Sequence, residues 1–473
     1  MAYQTESLLP VAKVDWRGKR RVDYRGILLL AFPLFLSNGV QAVLNLTDSW
    51  FIGRLSTDAI AAMGALYFLI LVLFVLFGGV GMYVQTLVAQ AYGEGKYHQA
   101  AQAVGAGFWG ALLLTPLFVL LAISGVELLK LFQFSPVVEQ LAIDYWIPRL
   151  LGLTIAIINL GLTAFFNGVG RTTITLWVSI AIALLNVVLN ESLMFQLGMG
   201  MAGAAWATTL SLMAGMVLFL WVFLSREIRQ DFQSHRIWKP QWQAIRYLFA
   251  VGLPLGFLMT ADLTGIAFFQ IMQVKLGVVP GAATQVVMML TSTAYMPTLG
   301  IAQAGTTLVG QSIGAGNRRW AKRLGNIAIA LCVLYSISVN VLLAFNGQWL
   351  IPLFVTTTDA HVEAVIQLSQ TLLWLAVVYN AFNALNIGSA FCLQGTGDVK
   401  VPSLFAVLLS WLGFVPLTHI LTFEQGEGLV DFLPQLGVGI FGGWSAAILF
   451  TLLLSSFLFL RWRFGGWQKT SSR

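Results

Sequence analysis

Charge is scarce along this chain: 10% of its 473 residues are Asp, Glu, Lys or Arg, where soluble domains carry about 25%. Whole stretches have none, including 26–47, 192–225, 276–317 and 364–397. Each is longer than the roughly 20 apolar residues that one membrane-spanning helix requires. Mean hydropathy is +0.82, and a soluble globular protein is excluded. A membrane β-barrel is excluded too, because its strands would alternate in segments of about ten residues and these runs are continuous.

Cysteine is nearly absent. Cys332 and Cys392 both lie inside apolar runs, so there is no disulfide framework and no CxxC pair. The four histidines are dispersed, at 98, 235, 361 and 419, and no metal cluster is expected. Nucleotide and hydrolase signatures are also missing: there is no GxxxxGK[ST], no HExxH and no GxSxG. GxGxxG occurs from Gly105, Gly198 and Gly437, but never after a strand in a βαβ unit. Close helix packing explains it without a phosphate. An enzyme is not expected, nor is a cofactor, so energy for any work must come from an ion gradient or a partner.

What is present is a series of apolar segments. The expected fold is all-α polytopic membrane protein, with twelve transmembrane helices near 26–52, 57–82, 104–124, 146–166, 172–192, 203–225, 247–274, 283–306, 326–345, 364–392, 401–423 and 437–460. Around them lie a basic N-terminal arm at 1–25, a polar linker at 226–246 and a tail at 461–473. An even number of spans leaves both termini on one side, and that side carries 22 of the 26 Lys and Arg. Only Arg54, Lys130, Arg149 and Lys275 fall opposite, so both termini are expected in the cytoplasm. The net charge of +7 is therefore topology rather than a nucleic-acid surface. The outer loop after the eleventh span is acidic, with Glu424, Glu427 and Asp431. Trp238, Trp242, Trp462 and Trp467 flank helix ends and are expected to anchor at the membrane interface.

The chain repeats itself. "TLVAQAYGEG" from Thr86 returns as "TLVGQSIGAG" from Thr307, and Pro33 returns as Pro254, both at an offset of 221. "FFNGVG" ending at Gly170 matches "CLQGTG" ending at Gly397, and "LGMGMAG" from Leu197 matches "LGVGIFG" from Leu436. The expectation is two six-helix lobes, 26–225 and 247–460, related by an axis along the membrane normal with a central cleft between them. That architecture suits alternating access.

Asp48 stands out, because a carboxylate on a spanning helix costs at least ~2.5 kcal/mol. Asn38, Gln41, Asn45 and Asp48 recur at helical spacing, which predicts one polar stripe turned from lipid. Asp262 sits mid-span on the seventh helix, where Thr260 or Thr264 could satisfy it locally. Asn380, Asn383 and Asn386 form a second stripe on the tenth. For each acid, a packing role stands beside a functional one; Glu191, at an outer helix end, is read as facing water.

"FPLFLSNGVQAVLNLTDSWFIGRL", the paired QxxGxG elements and "GMAGAAWAT" resemble the multidrug and toxic compound extrusion (MATE) family, the first motif most closely its DinF-like branch. The resemblance spans about residues 26–460. It implies a twelve-helix exporter, an antiporter moving small organic solutes, expected to be cationic, out of the cytoplasm in exchange for protons or sodium. The family's first-span acid falls on Asp48, its fifth-span Asn on Asn186 and its sixth-span Thr on Thr208. Many relatives carry an acid where this chain has Asn190, and another branch has a Glu near Asp262. The tenth-span acid of that branch is Asn383 here. Ion coupling is thus expected at Asp48, Asn186, Asn190, Thr208 and Asp262, with possible sodium at the first four and the missing acid leaning toward H+. Asn38, Gln41, Asn45, Asn380 and Asn383 are candidate cavity residues, and Pro33 and Pro254 candidate hinges. A monomer in the plasma or inner membrane suffices, with lipid as its other partner. The rival readings are a lipid or lipid-linked-precursor flippase and a non-transporting membrane scaffold.

Overall fold

A computed structural model describes residues 9–14, 19–130, 135–354, 362–430 and 433–469; Asp431 of the acidic loop and His361 lie outside them. Twelve long helices follow in order: α1 (Tyr24–Gly53), α2 (Thr57–Gly93), α3 (Tyr97–Lys130), α4 (Pro136–Gly168), α5 (Thr172–Gln196), α6 (Gly200–Phe223), α7 (Trp242–Lys275), α8 (Val278–Gly314), α9 (Arg318–Phe345), α10 (Val362–Thr396), α11 (Lys400–Thr422) and α12 (Ile440–Phe464). Local sequence marks their starts. Ser56 caps α2 by accepting from the Ala59 amide at 3.0 Å, and Ser135 with Pro136 opens α4. The helices are longer than the apolar runs, and α2 and α8 continue through both copies of the repeated motif to Gly93 and Gly314.

Eleven of the twelve are apolar enough, as well as long enough, to cross a membrane. Leu28, Leu29, Phe32, Leu36, Val43, Leu46 and Trp50 cover the outside of α1, a face only lipid would tolerate. This is an integral membrane protein. The exception is α8, rich in Thr, Ser and Gly. Its Thr291 and Thr298 hydroxyls are buried and donate back to the Val287 and Ala294 carbonyls at 2.9 and 2.8 Å, so the helix hides polarity within itself.

Contact density divides the chain into two compact units, Met1–Gly256 with Thr306–Ala321, and Phe257–Gly305 with Lys322–Arg473. Within the first, glycine decides how close backbones come. Gly79 of α2 lies against Gly252 and Gly256 of α7. A Cβ on Gly93 would meet the Gln311 carbonyl, and one on Gly314 the Gln90 carbonyl. The two copies of QxxGxG thus cross each other, each glycine receiving the other copy's glutamine backbone. Around this crossing Gln85 Nε2 donates to Thr307 Oγ1 at 2.9 Å, Thr307 Oγ1 to the Asn167 carbonyl at 2.9 Å and Gln311 Nε2 to the Gly168 carbonyl at 2.8 Å.

The repeat also appears in backbone angles. Gly95 and Gly316 both have φ +73°, Gly170 and Gly397 +83° and +88°, and Gly198 and Gly437 +67° and +68°. These are the pairs that the sequence offsets align, and each turn needs the left-handed conformation glycine permits.

Two segments outside the spans carry structure of their own, and one expectation changes. The basic arm contains a small antiparallel hairpin, β1 (Ala12–Val14) on β2 (Arg20–Val22), and Trp320 Nε1 donates to the Pro10 carbonyl at 3.0 Å. The linker folds into a helix, Arg226–Phe232, whose Phe232 ring packs 5.2 Å from Phe165 and 5.3 Å from Tyr97. Trp462 and Trp467 are not interfacial anchors: both are fully buried and stack at 5.5 Å. Gly325, having no side chain, makes room for the Trp462 ring, whose Nε1 donates to Asn326 at 2.9 Å. Trp238 and Trp242 remain exposed. Behind the "LQGTGD" turn, buried Asp398 takes a two-pronged bond from Arg461 at 2.6 and 3.0 Å.

Because backbone cannot yield as a side-chain tip can, Gly93→Ala is expected to cost about 1–3 kcal/mol. Its melting temperature should fall, while Gly161→Ala, whose added Cβ would meet nothing within 4 Å, should melt like the parent. Equal melting of all three would refute the crossing as a tight contact.

Candidate functional site

Three helices of the first unit converge on Asp48. It lies half-buried, five residues before the end of α1. A Ser37 to Ser179 hydroxyl bond of 2.8 Å holds α1 in register with α5. Asn186 and Asn190 sit four apart on α5, so they share a face, and both are fully buried. Immediately beyond Asn190 the helix widens into a π turn, Glu191–Gln196, a local irregularity that often accompanies functional sites.

Asn190 Nδ2 donates to Asp48 Oδ1 at 2.8 Å and to Asn186 Oδ1 at 2.9 Å, which uses both its hydrogens. Asn190 Oδ1 and Asn186 Nδ2 are left buried without partners. On the other side of the carboxylate, Thr208 Oγ1 of α6 lies 3.2 Å from Asp48 Oδ2 and 3.1 Å from its own-helix carbonyl at Ala204. One hydroxyl hydrogen cannot serve both. With Asp48 ionised, Thr208 donates to the carboxylate. With Asp48 protonated, the carboxyl can donate to Thr208 and Thr208 to Ala204. Both protonation states therefore find partners, which suits a group that exchanges a proton.

Asn190 turns its NH2 toward Asp48, and its own Oδ1 is buried without a hydrogen-bond partner. Among the described residues there is no group of three or more His, Cys, Asp or Glu that could hold a metal ion.

Arg149 was expected on the outer side, at the start of the fourth span at 146–166. It lies inside α4, which begins at Pro136. The guanidinium sits 5.7 Å from the Tyr145 ring, and its charge acts on Asp48 and Tyr67. The signal was available: an arginine four residues after a tyrosine in "YWIPRLLGL", with apolar sequence on both sides.

The other predicted residues scatter. Asn38 donates to the Leu34 carbonyl of its own helix at 2.8 Å, Asn45 is half-buried and Gln41 is exposed. Glu191, at the start of the π turn, is exposed and pairs with Arg54 at 3.1 Å. Pro33 and Pro254 lie within unbroken α1 and α7.

In the second unit Asp262 is half-buried on α7, and its charge acts on Tyr295 of α8 and Tyr379 of α10. The expected local partners do not serve it. Thr264 Oγ1 donates to the Thr260 and Ala261 carbonyls at 2.8 and 3.2 Å, and Thr260 Oγ1 is buried without a partner. Asn380 Nδ2 is spent on Asn340 of α9 at 3.2 Å and on the Ala376 carbonyl at 2.9 Å, a helix-to-helix tie. Asn383 and Asn386 are buried.

Residues 33–191 and 244–418 match the family model described as MatE. A multidrug resistance protein NorM of Burkholderia vietnamiensis is 29% identical over 453 residues, covering 94% of this chain and 93% of its own. Another NorM, of Agrobacterium fabrum, is 25% identical over 413 residues, covering 86% and 88%. Among solved structures, the outward-facing conformation of a multidrug resistance MATE family transporter of the MOP superfamily superposes with a TM-score of 0.82 over 94% of this chain and 96% of that one. At 20% identity, that likeness speaks to fold alone.

Removing the Asn190 donor should penalise the charged carboxylate and spare the neutral one. Asn190→Leu is therefore expected to cost about 1–3 kcal/mol of stability, and the cost should shrink where Asp48→Asn has already removed the charge. Thermal melts of the single and double variants check this. An equal loss in both backgrounds would mean that Asn190 packs without serving Asp48.

Proposed function

The chain belongs to the MatE family, a family of transporters rather than enzymes, and on that premise we propose that it is a secondary exporter exchanging organic solutes for protons through Asp48. The observation that carries the reading is the double satisfaction of Asp48. Asn190 and Thr208 favour the carboxylate, and the Thr208–Ala204 relay accepts the neutral acid. A carboxyl fixed only for packing would need partners for one state.

The cycle follows from charge. Ionised Asp48 offers a counter-charge to a cationic portion of the solute within the first lobe. A proton arriving from outside neutralises it, and the solute loses that attraction. Because such a shift requires the proton to bind the two conformations differently, the hydrogen-bond exchange at Thr208 is where the difference originates. Asn190, standing where many relatives have an acid, leaves no second carboxylate there to gather sodium. This favours protons. Asp262, whose charge acts on Tyr295 and Tyr379 and which neither threonine serves, supplies a second ionisable group in the other lobe, 247–460. The excess of Lys and Arg on the side of the termini supports cytoplasmic termini, hence outward export. The two NorM relatives' names support small organic substrates.

Proteoliposomes holding the full chain test this. An imposed pH gradient should drive uptake or release of ethidium, and a sodium gradient at constant pH should not. Asp48→Asn should lower the pH-driven rate by about 100-fold, as expected when an essential proton carrier is removed. Unchanged exchange in a correctly inserted Asp48→Asn protein would remove Asp48 from the mechanism, and sodium-driven exchange would replace the proton.

A further inference from the structure

A run of basic residues beside a membrane helix is commonly a loose tail, drawn to the surface by charge alone. The arm here is folded. In the hairpin Lys13 stands opposite Arg21, and Ala12 opposite Val22. Opposite residues of an antiparallel pair share a face, so the two sides differ. Lys13 and Arg21 are exposed on one, and Val22 is buried on the other. Three ties fix the hairpin to its helices. Trp320 of α9 donates to the Pro10 carbonyl at 3.0 Å, the Asp23 amide donates to the Val11 carbonyl at 2.8 Å, and Lys13 pairs with Asp23 at 2.9 Å. A Cβ on Gly26 would meet the Val11 side chain, so α1 starts in contact with the hairpin.

The first turns of α1 carry this basic surface into the lipid-facing one. Arg25, Leu28, Leu29 and Phe32 are spaced i, i+3, i+4 and i+7, which puts them on one helix face, and all four are exposed. Arg25 thus sits where the apolar stripe ends, at the depth of the headgroups. Tyr24 beside it is exposed, as an interfacial aromatic would be. Residues 10–25 hold six Lys and Arg against two Asp. Arg318 and Arg319, next to the tie at Trp320, are exposed as well. Positive charge continuous with an apolar stripe fits a molecule with an anionic head and acyl chains. A soluble anion would use the charge alone, and a lipid of neutral head the stripe alone.

We infer that the hairpin and the first turns of α1 form a binding surface for anionic phospholipid, in the leaflet on the side of the termini. The headgroup lies beside Arg21 and Arg25, and the chains lie along Leu28, Leu29 and Phe32. This surface is separate from the exporter reading, since it requires neither Asp48 nor transport.

The full chain in neutral detergent is titrated with phosphatidylglycerol and with phosphatidylcholine of the same acyl chains, and bound lipid is counted by native mass spectrometry. The parent should hold phosphatidylglycerol at the lower concentration. Arg21→Gln with Arg25→Gln should weaken phosphatidylglycerol about tenfold or more and leave phosphatidylcholine unchanged. Arg226→Gln with Arg229→Gln, which removes two exposed charges from the linker helix instead, should bind like the parent. If the first pair does not fold, Arg25→Gln alone should weaken phosphatidylglycerol about threefold or more. Equal weakening by the linker pair, or none by the hairpin variants, overturns the surface. Displacement by glycerol phosphate at the lipid's own concentration would show that the acyl chains contribute nothing, and overturns it too.

Discussion

A carboxylate cannot stand alone in an apolar helix, and the arrangement of α1, α5 and α6 follows from that. Asp48 needs donors; α5 brings Asn190 and α6 brings Thr208, and each of these needs further partners in turn. The chain continues through Asn186 and the Ala204 carbonyl. Such a network fixes the rotation of three helices about their axes, because a helix turned by one residue would carry its polar group some 100° away. Apolar packing alone, between faces rich in Leu and Val, would discriminate rotations less sharply. The site is therefore also the element that sets helix orientation in this part of the molecule.

Close backbone contact is the second constraint. In lipid there is little hydrophobic gain from pressing helix against helix, so association relies on dispersion and on bringing backbones near. Gly79, Gly252 and Gly256 do this between α2 and α7, and Gly93 and Gly314 do it between α2 and α8. Polar side chains then bond across the gap, as Gln85 to Thr307 and Gln311 to Gly168. Glycine spacing and buried glutamine work as one device.

Much of this was legible in the chain. Long uncharged runs gave twelve helices, and the repeat offsets aligned the glycines that share positive φ. Asp48, Asn186, Asn190 and Thr208 were expected together from the family pattern, and they touch. What escaped has a physical reason in each case. The fourth span was started after Asp144 because span ends were set where charge appears, whereas α4 begins at Pro136 and carries Glu139, Asp144 and Arg149 within it. Trp462 and Trp467 near a helix end suggested an interface, since nothing local reveals that Gly325 opens a slot for a ring. Thr260 and Thr264 were the nearest hydroxyls to Asp262 along the chain, but a threonine in a helix readily donates to its own backbone, as Thr264 does. The Asn38 stripe had the right period, and its last member, Asp48, meets Asn190 of α5 and Thr208 of α6, while Gln41 is exposed.

The crossing of the two QxxGxG copies has one further property. Gly93 contacts Gln311 and Gly314 contacts Gln90, so position i of one copy meets position j of the other, and j meets i. That reciprocity defines the isologous joint between two identical subunits related by a two-fold axis. A single polypeptide here contains the kind of seam a homodimer would form. A side chain added at either glycine would displace the other copy's backbone, so the two copies of the motif depend on each other as a matched pair.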